Sequence, residues 1–184
     1  MIAGLVLLGI GLAVLLWFVV TYNGLVRSRQ EVKNAWSQID VQLKRRHDLI
    51  PNLVEAVKGY MGHERQTLEN VIKARQQAVS ATGLQDRAQA ENVLTQTLRS
   101  LFAVSERYPD LKANQNVLKL QEELTSTENR ISFSRQFYNE QTMRLNTAVE
   151  SVPANVVAGL AGFTKAEFFE IEDPGHREAP KVAF

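Results

Sequence analysis

At 184 residues the chain is long enough for one ordinary domain plus an anchor, and 21 Lys+Arg against 20 Asp+Glu leave a net charge of +1. That near balance, with no aromatic interleaving to stack bases, argues against a nucleic-acid binder. With no cysteine, disulfides, thiolate nucleophiles, Cys-based zinc sites and an acylated lipoprotein cysteine are excluded.

The run from Ile2 to Val20 is wholly apolar, without charge or proline. About 20 such residues span a hydrocarbon core as a helix. A cleaved signal peptide would need a basic n-region, a shorter apolar core and a small-x-small cleavage site, and none is present. Ile2, Leu5, Leu8, Leu12, Leu16, Trp17 and Val20 are therefore the expected membrane anchor, with Trp17 and Tyr22 at the aromatic belt. Basic residues follow the anchor (Arg27, Arg29, Lys33, then Lys44, Arg45 and Arg46), while only the α-amino group precedes it. The positive-inside rule then predicts the N-terminus outside and the long C-terminal part in the cytoplasm. Arg27, Arg29 and Lys33 could each attract anionic lipid by about 1 kcal/mol. Gly9 and Ala13 form a small-xxx-small pair that lets two anchors approach each other.

Beyond the anchor, Val32, Trp36, Ile39, Leu43, Arg46, Ile50, Leu53, Val57 and Tyr60 alternate in steps of four and three, and Leu68 and Val71 resume the series. This is a narrow helical stripe of coiled-coil type. Read as one stalk from Val32 to Ser80, it predicts about 70 Å of helix at 1.5 Å per residue. Pro51 falls inside the stripe, and a kink that leaves the His47 carbonyl free is favoured over a break with Ile50 as a poor N-cap. Gly83 suits the left-handed position after this helix. A second stripe follows (Leu94, Leu98, Leu101, Ser105, Tyr108), closed by Pro109-Asp110 as a turn.

The third stripe is longer: Val117, Leu120, Leu124, Thr127, Ile131, Ser134, Tyr138, Gln141, Leu145, Ala148 and Val152, ended by Pro153. Short connections imply antiparallel neighbours. Asn155 to Phe163 reads as a short amphipathic helix, Ala166 to Glu172 alternates like a strand, and the end is extended. The fold class expected is all-α: a transmembrane anchor over 1–22, an elongated antiparallel bundle of three long helices over 23–153, and a tail over 154–184. Phe163, Phe168, Phe169, Ile171 and Phe184 are costly in water, at roughly 1.5–3 kcal/mol each. They either fold back on their own bundle or dock on a neighbouring copy, which makes them, with Gly9 and Ala13, the candidate oligomer contacts.

Catalytic and metal signals are weak. His63-Glu64 lacks the second histidine of a zinc motif, Thr67 standing in its place. Asp40, Asp48 and Glu55 lack the Glu-x-x-His pairs of di-iron bundles, since Tyr60 and Lys44 precede the histidines by three. No phosphate loop, nucleophile elbow or dinucleotide fingerprint occurs. No cofactor, metal or small-molecule substrate is expected, and no enzyme. Arg45, Arg46, His47 and Asp48 form the densest charged cluster. Either it is a charged face with Arg46 paired to an acid on a facing helix, or it is a docking site for a partner.

Tyr22-Asn23-Gly24-Leu25-Val26, the run from Ala35 to Arg46 (AWSQIDVQLKRR) and that from Asp48 to Glu55 (DLIPNLVE) closely resemble the LemA family of bacterial membrane proteins. The likeness continues through Val57-Lys58-Gly59-Tyr60, His63-Glu64, Ala74-Arg75, Leu120 to Leu124, Glu128 to Ile131, Arg135 to Asn139, Phe168-Phe169 and Ala179 to Val182, nearly the whole chain. The resemblance implies an anchored long-helix bundle in the bacterial inner membrane, without catalytic residues. It also implies an accessory or scaffold role beside other membrane proteins, such as proteases. Asn23, Gln38, Asp40, Gln42, Arg45, Arg46, Asn52 and Asn129 either set register between helices or present a surface to a partner. The leading expectation is a self-associating scaffold in contact with membrane lipid. The alternative is a monomeric adaptor or regulator of a membrane protease or signalling protein, docked through Arg45 to Asp48.

Overall fold

The computed structural model describes residues 1–62 and 64–170, apart from the side chain of Lys112. Among them are six helices and no strand: α1 Ile2–Lys58, α2 Arg65–Ser80, α3 Leu84–Ser105, α4 Pro109–Ala113, α5 Gln115–Glu150 and α6 Ala154–Leu160. The protein is all-α, as its periodicity predicts. His63 of the zinc-like reading and the tail residues Ile171 and Phe184 lie outside the described residues, as does Glu172 at the end of the strand-like run.

α1 is a single 57-residue helix. Its first part is long and apolar enough to cross a membrane, and none of that window is buried in the chain. Ile2, Leu5, Leu8, Leu12, Leu16, Trp17 and Val20 are all exposed, as are Gly9 and Ala13.

The expected stalk to Ser80 is not formed. α1 stops at Lys58, where Gly59 follows and the Tyr60 and Met61 amides both turn back to the Val57 carbonyl at 3.0 Å. The break carries Met61 into full burial. Pro109 also acts differently from the expectation: it opens α4 at the first helical position, where a missing N–H costs nothing. Gly83 does adopt positive φ, at 89°.

The chain divides into two compact units. The first comprises Met1–Val41 and Ile131–Phe168; the second, among described residues, Gln42–Arg130 with Phe169 and Glu170. These bounds differ from the anchor, bundle and tail boundaries read from the sequence.

In the first unit α1 and α5 run antiparallel, since Trp36 meets Tyr138 edge-on at 5.7 Å while Ala148 and Val149 pack on the cluster that contains Leu25. α6 closes against them through Val157 and Ala158. Its end is a Schellman turn: the Phe163 amide donates to the Ala158 carbonyl at 2.9 Å and the Gly162 amide to Gly159 at 3.4 Å. Gly162 stands at φ 69°, a left-handed position that glycine tolerates without strain. The turn delivers Phe163 onto Leu25, Val157 and Ala158.

The second unit has the larger core. Ile50, Leu53 and Val57 of α1, Leu68, Val71 and Ala78 of α2, Leu94, Leu98 and Leu101 of α3, and Val117 and Leu124 of α5 interlock there with Met61 and Leu111. α2 and α3, joined by Ala81–Gly83, pack directly on each other. Asn114 caps α5, its Oδ1 accepting from the amides of Asn116 (3.0 Å) and Val117 (3.3 Å).

Pro51 lies inside α1 and the helix continues through it. The His47 carbonyl, deprived of its backbone donor, accepts instead from Arg75 Nε of α2 at 2.7 Å. Arg75→Ala is expected to cost about 1.5–3 kcal/mol, as hydrogen bonds from charged groups do. Pro51→Ala restores a backbone donor, so in that background the same change should cost markedly less. A double-mutant cycle by urea denaturation in detergent micelles measures the coupling; equal costs in both backgrounds would place the contribution of Arg75 elsewhere.

Candidate functional site

Arg46 is the chemical centre of the second unit. It occupies a position on the apolar stripe of α1 and is 1% exposed. A guanidinium stripped of water needs fixed partners, because an unpaired buried charge is strongly unfavourable. Two acids supply them. Nη2 pairs with Glu91 Oε2 on α3, and Nη1 pairs with Glu128 Oε2 on α5. Nη1 also donates to Thr95 Oγ1 at 2.9 Å, and that hydroxyl donates to Glu128 Oε1 at 2.9 Å. The planar fork of arginine, with its fixed donors, reaches all three at once.

Glu91 is 3% exposed and has a second neighbour, His47, whose Nε2 lies 2.9 Å from Oε1. Burial pushes the Glu91 carboxyl up. The contact with His47 and the charge of Arg46 outweigh that push and hold the group below the usual carboxylate range. The cluster therefore fastens α1, α3 and α5 at one level.

Of the four residues expected to form a docking cluster, Arg46 and His47 are buried and closed to a partner. Helical geometry is the reason: they fall on the core side of α1, while Arg45 and Asp48 face outward. Arg45 makes only a long, half-exposed pair with Glu123 at 3.8 Å. The pairing of Arg46 with acids on facing helices agrees with the simpler of the two sequence readings.

Two open grooves mark the surface of the second unit. One, of about 190 Å³, lies between α3 and α5 over Leu98, Phe102 and Leu124, with Thr95 and Glu128 at its edge. The other, of about 520 Å³, follows the bend from α1 to α2, with an apolar floor of Val54, Met61 and Leu68 rimmed by Glu55, Lys58, Arg65 and Glu69. The Thr95 hydroxyl on Glu128 is half of a nucleophile–base pair. Both members, however, are already taken up by Arg46, whose Nη1 donates to the Glu128 carboxylate and to the Thr95 hydroxyl. Among the described residues no group of three or more His, Asp or Glu side chains could hold a metal ion.

In the first unit the tail folds back on its own chain. Phe163 packs edge-on against Tyr22 at 5.9 Å, with the Arg29 guanidinium 4.9 Å above its ring. Asn146 takes both backbone groups of Ala166, accepting from its amide at 2.8 Å and donating to its carbonyl at 2.9 Å, as a neighbouring strand would. Tyr138 donates to the Glu167 carbonyl at 2.9 Å. Phe163 and Phe169 are buried, so they are not open contacts for a second copy, while Phe168 remains partly exposed at 39%. The exposed aromatics the sequence reading missed are Phe133 and Phe137, one turn apart on α5 and 70% and 41% exposed.

A family model for the LemA family matches residues 35–184, a span that begins within α1. The chain belongs to the LemA family. Among LemA relatives it is 27% identical over 155 residues to Protein LemA of Metamycoplasma hominis, covering 82% of this chain and 69% of that one. It is also 23% identical over 180 residues to the magnetosome protein MamQ 2 of Paramagnetospirillum magneticum, covering 84% and 66%. With MamQ of Magnetospirillum gryphiswaldense the identity is 22% over 180 residues, with the same coverage. The chain thus spans about two thirds of the length of these relatives. Family membership and the N-terminal apolar helix make this a membrane-associated protein.

Proposed function

We propose that the protein is a non-enzymatic, single-pass protein of the bacterial inner membrane that self-associates and scaffolds membrane partners. Residues 2–20 span the bilayer, and the basic residues that follow, Arg27, Arg29 and Lys33, keep the helical part in the cytoplasm. The observation that carries self-association is the Phe133–Phe137 pair. Two phenyl rings at i and i+4, 70% and 41% exposed, make one apolar strip that a single chain leaves partly in water, where full burial of a ring would gain roughly 1.5–3 kcal/mol. Such a strip is satisfied by another protein surface. Gly9 and Ala13 on the bare face of the anchor allow close approach of a second span.

The double variant Phe133→Asp/Phe137→Asp tests this. Both residues are exposed, so helicity by circular dichroism should be unchanged, while the number of copies per particle in mild detergent should fall. An unchanged copy number would remove the aromatic pair as the contact.

A second reading, a monomeric adaptor or regulator of a membrane protease or signalling protein, is favoured by the groove along the α1–α2 bend. Its apolar floor and mixed-charge rim suit one or two side chains of a partner. A wild-type particle that contains one copy at every concentration would favour it.

A further inference from the structure

We infer that α6 and the turn before it form a second membrane contact, lying in the headgroup region beside the end of the transmembrane span. The inference rests on residues 2–20 crossing the bilayer.

Three observations carry it. First, α6 is anchored to the span itself: Phe18, within the apolar run, packs on the Leu25–Val157–Ala158–Phe163 cluster, and Tyr22 meets Phe163 at 5.9 Å. The helix is therefore fixed at the level where the span leaves the hydrocarbon. Second, its free face is apolar. Val156 and Leu160 stand one turn apart and are 57% and 76% exposed, and Val152 in the preceding turn is 82% exposed, while Val157 and Ala158 point the other way, into the cluster. Third, no charged residue occurs between Glu150 and Lys165. Those two flanking charges pair with each other, and Arg27 and Arg29 stand exposed just past the span.

An apolar face without charges at this depth matches the interfacial zone, where amphipathic segments bury their apolar side among acyl chains. Lipid is the occupant that continuity with the span selects. The basic side chains nearby suit anionic headgroups.

The chain has no cysteine, so single environment-sensitive fluorophores can be placed on the full-length protein at Val156→Cys, Leu160→Cys, Leu12→Cys and Glu122→Cys. Each is reconstituted in phosphatidylcholine–phosphatidylglycerol vesicles with spin-labelled lipid, the label near the headgroup or deep in the acyl chain. The inference predicts that labels at 156 and 160 are quenched several-fold more than at 122, and best by the shallow spin label, while the label at 12 is quenched best by the deep one. Quenching at 12 with 156 and 160 no different from 122 would overturn the inference and leave the span intact. Blue-shifted emission at 156 and 160 without lipid quenching would mean that protein covers this face, and would overturn it too. Loss of quenching at 12 would overturn the spanning reading and this inference with it.

Discussion

Arg46→Ala is expected to destabilise the second unit by about 3–5 kcal/mol, the cost of removing one partner from a buried ion pair. The reason lies less in the lost attraction than in what stays behind. Glu91, 3% exposed, would keep a buried carboxylate with only His47 against it. Glu128 would suffer less, because its side chain is 37% exposed and can rehydrate. Arg46→Lys should recover only part of the loss, since a single ammonium cannot span Glu91, Thr95 and Glu128 in the way the guanidinium fork does. Replacing both members, Arg46→Met with Glu91→Leu, should recover most of it, because no charge is then left stranded. Arg45→Ala, one residue away, should cost at most about 0.5 kcal/mol, its pair being half exposed and 3.8 Å long. Urea denaturation in detergent micelles gives all four values. A cost for Arg46→Ala no larger than that for Arg45→Ala would contradict the fastening role.

Phe163→Ala should be nearly as damaging, at about 3–5 kcal/mol for a buried ring. Phe163 is 8% exposed and contacts Tyr22, Arg29 and the Leu25 cluster together. The loss should be local, because the Schellman turn, α6 and the segment held by Asn146 all depend on this ring for their place. Three kcal/mol corresponds to a factor of about 100 in an opening equilibrium. Amide exchange in α6 and at Ala166 should therefore quicken by about that factor, with α3 unaffected. Unchanged exchange in α6, together with a lower copy number, would instead place the ring between copies.

The helical class, the apolar span and the core-facing stripe of α1 were legible in the sequence because each is a periodic pattern, and periodicity survives without knowledge of the fold. Even the free His47 carbonyl was legible, from the geometry of Pro51 alone; its acceptance of Arg75 was not, since nothing local connects positions 47 and 75. The end of α1 is hidden in the sequence because Leu68 and Val71 resume the stripe after the break. A pattern that keeps its phase conceals a change of direction, and Gly59 and Gly62 were the only local sign. Glu91 carries a signal of its own in the sequence. It stands three residues before Leu94, so it continues the α3 stripe as the one acid in an apolar row, just as Arg46 is the one base in the row on α1. Two such exceptions of opposite sign on two stripes predict each other. Phe133 and Phe137 fall off the stripe, and their importance depends on exposure, which the pattern alone does not report.

Under the proposed function, the membrane-bound protein works as more than one copy. The measurement that tests it most directly is copy counting of the full-length chain in lipid nanodiscs at low micromolar concentration, by mass photometry. A discrete particle of several copies that shrinks in the Phe133→Asp/Phe137→Asp variant is the result predicted. One copy per disc at every concentration would contradict self-association and leave the groove at the α1–α2 bend as the surface that awaits a different protein.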